Sequence, residues 1–343
     1  MQNHEKNHRI GYLDVAKGCL IIAVILYHYH SAGVDLSKAG LPEFPALKIM
    51  MGFVATFFMP CFFIISGFFI SQKKTWKEFI ISQIRKLLFP LFFFGCFESI
   101  CFSTYHPFAD AYPWFNPYRA MLGSLLWFLW ALFFSRIIVY AIYKWTGRPC
   151  LCLAACLALS FFGIVLHWLG LEITSIFTSH TLIACSFVAF GLFLRNHAAP
   201  FEKAMKFCLF AYPILYILAC LSHTTIPIFT QGIGITKVYH IPLFFVFSIT
   251  GSLFMLYCSR YIFGRAKDFF VYFGQNSLIV YCVHLYFLFL FMSLFKVIVR
   301  SQNTASEIAY LSATVACTIA TCVLFIQLMK IKGMRQVLGH SAK

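Results

Sequence analysis

The sequence feature that most constrains the fold is a series of apolar stretches, each about as long as a bilayer core is thick. A helix that crosses a membrane needs roughly 20 predominantly apolar residues. Ten such stretches follow one another along the 343 residues of the chain. We place them at 14–32, 46–70, 84–104, 120–143, 150–169, 177–195, 205–222, 240–259, 273–296 and 306–329.

The composition favours the same class of protein. Hydrophobic residues make up 61% of the chain and charged residues only 11%, which is too little charge for the surface of a soluble domain of this length. We therefore predict an all-α fold, a polytopic integral-membrane bundle of about ten transmembrane helices. We expect it to form one domain over 1–343, with tails at 1–13 and 330–343. The cysteines show no Cys-x-x-Cys or Cys/His ligand spacing, so we predict no metal site.

The basic residues are distributed unevenly between alternate loops. With a cytoplasmic N-terminus, 20 of the 27 Lys and Arg residues lie in or beside cytoplasmic segments and 6 in outside segments, while Arg136 lies within a span. Cytoplasmic loops of membrane proteins carry such an excess. We therefore predict that both termini are cytoplasmic. The net charge of +16 is explained without a nucleic-acid partner.

The first apolar stretch carries ionisable groups that a simple anchor does not need. On a helical wheel Lys17 and His28 are only about 20° apart, with Asp14 within about 60° of them, whereas His30 is about 220° from Lys17. Lys17 and His28 are separated by about 16 Å along the helix axis. Ionisable groups inside a membrane are costly and often functional. A helix with merely interfacial polar ends is the alternative interpretation.

The third stretch combines a basic approach with a carboxyl group. The segment 73–86 is the most basic loop, and Arg85 and Lys86 at its end suit either anionic lipid headgroups or a phosphate-rich cytosolic cofactor. Glu98 follows about 20 Å further along the axis, at a depth similar to that of His28. A carboxylate there could orient an imidazole base. The alternative is a glutamate at the headgroup boundary.

The fourth and ninth stretches hold candidate acceptor-binding residues. Trp127 lies near the outer boundary of the fourth, where it fits either an aromatic belt or a substrate contact. In the ninth, Ser277, Tyr281 and His284 lie within about 60° of one another on the wheel. Such a polar stripe must face the bundle interior or a cavity. A hydrogen-bonded packing network is the alternative.

Several of these segments occur in the order and form of a known family. Together they resemble the membrane acyltransferase-3 family over nearly the whole chain. The matching segments are Leu13-Asp14-x-x-Lys17-Gly18 followed by His28, Phe62-Phe-Ile-Ile-Ser66-Gly67-Phe-Phe, Arg85-Lys86-Leu-Leu-Phe-Pro90, Leu126-Trp127-Phe128-Leu129, Phe190-Gly191-Leu-Phe-Leu-Arg195, and Gly274-Gln-Asn276-Ser277-Leu-Ile-Val-Tyr281-x-x-His284.

The resemblance implies an integral-membrane O-acyltransferase of the stand-alone type that includes fucose-acetylase-like members. The implied donor is cytosolic acetyl-CoA, and the implied acceptor is a hydroxyl of a glycan, a lipid-linked sugar or another cell-envelope molecule. The expected location is the cytoplasmic (inner) membrane of a bacterium, among membrane lipids. The implied roles are catalysis for His28 and Glu98, donor binding for Asp14, Lys17, Arg85 and Lys86, and acceptor binding for Trp127, Ser277, Tyr281 and His284.

The sequence departs from the family pattern at two donor-binding positions. Lys17 stands where the signature usually has Arg, and Gln83 stands where an Arg usually precedes Lys86 by three residues. A lysine makes a point contact where an arginine binds phosphate through two hydrogen bonds. The alternative function is a proton-coupled exporter or flippase of a lipid-linked or small polar substrate, with the histidine and Glu98 as a proton relay. No internal repeat typical of transporters is visible, which favours the enzyme.

Overall fold

The structure is a computed structural model. It describes residues 2–37, 45–104, 125–171, 176–230, 233–298 and 304–331. Within those ranges most of the backbone is helical and no β-strand forms. This follows from the apolar sequence, because a chain in lipid must satisfy its own backbone N–H and C=O groups.

The described chain forms helices of very different lengths. Three short turns of other helical types join some of them, at Ile84–Leu88 and Ile176–His180 (π) and at Ser259–Tyr261 (3-10). The α-helices are α1 (Gln2–Ser37), α2 (Pro45–Ala55), α3 (Phe58–Phe68), α4 (Trp76–Gln83), α5 (Phe89–Thr104), α6 (Trp127–Thr146), α7 (Pro149–Trp168), α8 (Thr181–Asn196), α9 (Ala198–Leu221), α10 (His240–Cys258), α11 (Gly264–Gln275), α12 (Ser277–Ile298) and α13 (Thr304–Met329).

Ten stretches of the described residues are long and apolar enough to cross a membrane. Each overlaps one of the ten predicted stretches, so the predicted class, an all-α polytopic membrane protein, is confirmed. The cytoplasmic location of both termini stays a prediction from the charge distribution. The stretches are Gly11–Ser31, Leu47–Phe68, Trp76–Cys101, Trp127–Thr146, Pro149–Trp168, Thr178–Asn196, Ala199–Leu221, His240–Tyr261, Ser277–Phe295 and Ile308–Met329.

The third span begins well before its predicted start. It extends from Trp76, because α4 continues through the π turn into α5. The predicted loop 73–86 is therefore wrong over most of its length. Its charged residues suggested a loop, but Phe79 is buried and its ring stacks on that of Tyr140 at a centroid distance of 3.9 Å. That buried aromatic contact favours a helix here.

Two other boundaries also changed. The predicted ninth span, 273–296, begins instead at Ser277, because α11 is a separate helix that ends at Gln275. The fourth span begins at Trp127, and residues 120–124 of its predicted start lie outside the described residues.

The chain groups into two compact units, each assembled from three stretches. The predicted single domain over 1–343, with tails 1–13 and 330–343, stays a prediction. Residues 2–13 belong to α1, and 332–343 lie outside the described residues. The first unit comprises Met1–Leu20, Gly52–Ile80 and Phe128–Gly274, and the second comprises Ile21–Met51, Ile81–Trp127 and Gln275–Lys343.

The first unit contains a close crossing of α3 and α8. A Cβ atom on Gly67 would lie 2.9 Å from the carbonyl carbon of Val188. In the reverse direction, a Cβ atom on Gly191 would lie 2.8 Å from the carbonyl carbon of Ile64. Carbon atoms in contact prefer about 3.5–4.0 Å. The crossing therefore requires glycine on both helices, as small residues commonly allow in membrane proteins.

In the second unit, aromatic side chains join α1, α5, α12 and α13. The Tyr310 hydroxyl donates to the carbonyl oxygen of Met292 at 2.8 Å, and its ring lies 6.2 Å from that of Tyr29 on α1. These contacts fix α1 next to the α12–α13 pair. On α13, the ring of Phe325 lies within 6.1 Å of the rings of Phe94, Phe97 and Phe287.

Candidate active site

The second unit brings together two histidines that are 256 positions apart in sequence. The ring centroids of His28 on α1 and His284 on α12 are 5.2 Å apart, with an angle of 49° between the ring planes. His284 is fully buried. His28 is half-buried. Two adjoining imidazoles in an apolar span are an expensive arrangement, so the pair is a candidate functional site.

The hydrogen bonds of His284 define its tautomer. Its Nδ1 lies 2.8 Å from the carbonyl oxygen of Tyr281 and 3.1 Å from that of Val280. Because carbonyl oxygens only accept, Nδ1 carries the proton in the neutral ring and Nε2 carries a lone pair. Nε2 is buried and has no hydrogen-bond partner among the described residues. The ring therefore offers an unused acceptor atom inside the protein.

Part of the polar stripe predicted on α12 lies next to His284. The ring of Tyr281 is buried and its centroid lies 5.9 Å from that of His284. Ser277 is the first residue of α12 and is half-buried. Trp127 is the first residue of α6 and is also buried. The acceptor-binding roles of these four residues stay predictions.

Glu98 lies on α5 and is fully buried. Neither of its carboxyl oxygens has a hydrogen-bond partner in the described part of the chain. It lies close enough to Cys282 and Cys101 to interact electrostatically with their thiols. No hydrogen bond joins Glu98 to His28 among the described residues, so its predicted role in orienting His28 stays a prediction.

In the first unit, Asp14 and Lys17 form an ion pair on one turn of α1. The Lys17 Nζ lies 2.6 Å from the Asp14 carboxylate, and the two side chains are 22% and 14% exposed. The ammonium also lies 5.8 Å from the centroid of the Phe69 ring. Asp14 therefore orients the Lys17 ammonium and neutralises part of its charge.

The glycines beside this ion pair hold α1 against α11. A Cβ atom on Gly18 would lie 2.7 Å from the carbonyl carbon of Phe270, and one on Gly274 would lie 2.7 Å from that of Asp14. Each glycine thus contacts the backbone of the opposite helix. Two motifs far apart in the sequence form one close crossing, which positions the ion pair.

Arg85 and Lys86 lie in the π turn between α4 and α5, and both are exposed. The structure places them on a helix rather than in the predicted loop. Both lie within the third span, Trp76–Cys101. Their predicted role in donor binding stays a prediction.

A set of polar residues on α6 was missed as a unit by the sequence reasoning. Arg136, Tyr140 and Lys144 are four residues apart, so they share one face of the helix. Each donates to a backbone carbonyl at or after the end of α3. The carbonyl of Ser66 also accepts from the backbone N–H of Phe69 at 3.2 Å. The spacing could have revealed the set. The acceptors are the carbonyl oxygens of Ser66, Lys74 and Gln72, respectively.

The fold and the histidine pair together define a multi-pass α-helical membrane protein with a polar centre buried in its second unit. The family model of an acyltransferase domain matches residues 10–327 of the chain. The chain belongs to the acyltransferase-3 family, and the resemblance drawn from its motifs is confirmed. It is a membrane acyltransferase. A comparison with curated proteins and one with solved structures each found no match.

Proposed function

We propose that the protein transfers an acetyl group from cytosolic acetyl-CoA to a hydroxyl group of a glycan or a lipid-linked sugar of the cell envelope. The proposed location is the cytoplasmic (inner) membrane of a bacterium. The observation that supports this most directly is the close pairing of His28 with the buried His284 in a family of acyltransferases. Acyl transfer to an alcohol needs a base, and imidazole suits that task near neutral pH.

His28 is the proposed base. It takes the proton of the acceptor hydroxyl as the oxygen attacks the carbonyl carbon of the thioester. The tetrahedral intermediate then collapses, the carbon–sulfur bond breaks, and His28 returns the proton to the thiolate of CoA. The products are an O-acetyl ester and free CoA, so the protein is unchanged after each turnover.

Lys17 is the proposed donor-binding cation, together with Arg85 and Lys86. The ion pair with Asp14 fixes the direction of the Lys17 ammonium before the donor arrives. A charge-assisted hydrogen bond to phosphate is stronger than a neutral one. Pre-orientation reduces the conformational entropy that donor binding must overcome.

The test uses purified protein in detergent with [¹⁴C-acetyl]-CoA and an extract of envelope glycans and lipid-linked sugars. We expect label in the glycan fraction and its release by mild alkali, as for an ester. The His28→Ala variant should lose about two to four orders of magnitude in rate. If the wild-type protein transfers no label and releases no CoA, the proposal is wrong and the exporter alternative gains support.

A further inference from the structure

The hydrogen bonds of His284 restrict what this residue can do. With Nδ1 donating to the carbonyls of Tyr281 and Val280, Nε2 can only accept a hydrogen bond. In this form His284 cannot donate to an oxyanion or to the carbonyl of a substrate. Its Nε2 must instead meet a donor, and it has none among the residues described.

The ring of His28 is at the distance where it could supply that donor. Two imidazoles joined by an N–H···N hydrogen bond of about 2.9 Å have centroids roughly 5 Å apart, since each nitrogen lies about 1.1 Å from its ring centre. The observed centroid separation is 5.2 Å. The observed separation thus matches that of a hydrogen-bonded pair, and the bond requires a reorientation of the His28 ring.

We propose that His284 is the positioning residue for His28. Its Nε2 accepts a hydrogen bond from the ring N–H of His28 in the reacting complex. That bond fixes the tautomer of His28 and directs its other nitrogen, which carries the lone pair, toward the acceptor hydroxyl. This inference rests on the proposed function, because it assigns the residue that orients the proposed base.

The proton balance of the reaction is unchanged by this assignment. The acceptor proton moves to the free nitrogen of His28 and later to the CoA sulfur. The other ring nitrogen of His28 keeps its own proton, which stays hydrogen-bonded to His284 Nε2 throughout. His284 therefore neither gains nor loses a proton. While His28 is an imidazolium, the bond to a neutral acceptor disperses part of its charge. A carboxylate plays the corresponding part in serine hydrolases.

Backbone carbonyls of α12 orient His284, so no third side chain is needed for that task. A helix holds the carbonyls of residues three and four positions earlier near the side chain of His284. Both accept from Nδ1, so the ring is held at one edge by its own helix. The opposite edge, with Nε2, is thereby kept available for His28.

Three substitutions of His284 separate this role from a structural one. In His284→Gln the amide lies near the former position of Nε2, so an acceptor oxygen is retained. In His284→Asn the amide lies near Nδ1, so a donor to the backbone carbonyls is retained and the distal acceptor is lost. His284→Ala loses both. Each variant is compared with the wild type for kcat, for the KM of acetyl-CoA, and for monodispersity and CoA affinity as checks of folding.

We expect kcat to fall about 10²-fold in His284→Ala and in His284→Asn, with the KM for acetyl-CoA within about threefold of wild type. His284→Gln should recover to within about tenfold of wild type, because an acceptor is enough. If His284→Asn keeps its activity and His284→Gln loses it, His284 has a structural role through Nδ1 and the proposal is overturned. Equal loss in all three folded variants would also overturn it, since an acceptor alone would then be insufficient.

The same measurements separate failure of this inference from failure of the proposed function. A wild-type protein without acyl transfer overturns both. A wild-type protein that transfers acetyl and loses activity in His28→Ala, but keeps full activity in all three His284 variants, overturns only the assignment of His284.

Discussion

The crossing of α1 and α11 makes a prediction whose magnitude follows from the structure. A methyl group on Gly18 would place its carbon 2.7 Å from the carbonyl carbon and 2.9 Å from the Cα of Phe270. The carbonyl oxygen of Phe270 would be closer still. The preferred separation between carbon atoms is about 3.5–4.0 Å, so the helices must move apart by roughly 1 Å or more. Overpacking of this kind costs about 1–3 kcal/mol. The neighbour is backbone, so no side-chain rotation can relieve the contact.

The same helix offers a matched control. Gly11 also lies within α1, and a Cβ atom there would meet nothing within 4 Å. Gly→Ala in a helix interior gains up to about 1 kcal/mol of helix propensity at either site. This gain cancels in the comparison. Gly18→Ala should therefore unfold with a free energy about 1–3 kcal/mol lower than Gly11→Ala.

The assay is unfolding in mixed detergent–SDS micelles, followed by the fluorescence of the 6 Trp residues. The Gly18→Ala/Gly274→Ala double variant adds a second readout. A single outward movement of the helices makes room for both methyl groups. The double variant should therefore lose less unfolding free energy than the two single variants together, by about 0.5 kcal/mol or more. Equal stability of Gly18→Ala and Gly11→Ala would refute the packing argument, and strict additivity would refute the shared crossing.

Three further predictions use the same purified protein. Lys17→Ala should weaken CoA binding by about 10- to 100-fold, the equivalent of about 1.5–3 kcal/mol for a charge-assisted contact, whereas the exposed Lys206→Ala should leave binding unchanged in equilibrium dialysis. Arg136→Leu should lower the free energy of unfolding by about 1–3 kcal/mol, because the carbonyl of Ser66 loses a buried donor. Epitope tags at both termini should resist protease added to intact spheroplasts and be cleaved after permeabilisation, since cytoplasmic termini are shielded by the membrane.

The ten spans could be predicted because hydropathy acts locally along each segment. The start of the third span could not be predicted, because the turn around Lys77 and Glu78 is charged. Its helical structure depends instead on a tertiary contact. Phe79 is buried against Tyr140. Likewise, the predicted ninth span, 273–296, included the last residues of α11, which is a separate helix that ends at Gln275.

The candidate site shows the same division between local and tertiary information. A helical wheel placed Asp14 and Lys17 on one face of α1, and they do form an ion pair. The wheel could not give the distance from His28 to His284, which depends on how two distant helices pack. The same holds for the glycines of the motifs. Gly67 and Gly191 both lie in segments that resemble the family, but only the crossing itself shows that they belong to one helix contact.

Glu98 and His284 are competing candidates for orienting His28, and one substitution distinguishes them. Glu98 has no hydrogen-bond partner among the described residues and interacts electrostatically with the thiol of Cys282 on α12. If His284 orients the base, Glu98→Gln should keep the acetyl-transfer rate within about threefold, because the amide alters no bond to His28. If Glu98 orients it, the rate should fall by about two orders of magnitude or more, as for loss of an essential acid–base partner.

The stability of Glu98 variants supplies an independent check on the same point. A buried polar group without a partner costs about 1–3 kcal/mol, so Glu98→Leu should raise the free energy of unfolding by about that amount. A residue that lowers stability in the resting protein is expected to act on something that the resting protein lacks, such as the acceptor. Glu98→Leu should therefore raise the KM for the acceptor while acetyl-CoA affinity is kept. A less stable Glu98→Leu protein would contradict this argument, because it would mean that the carboxyl group already stabilises the fold through a partner.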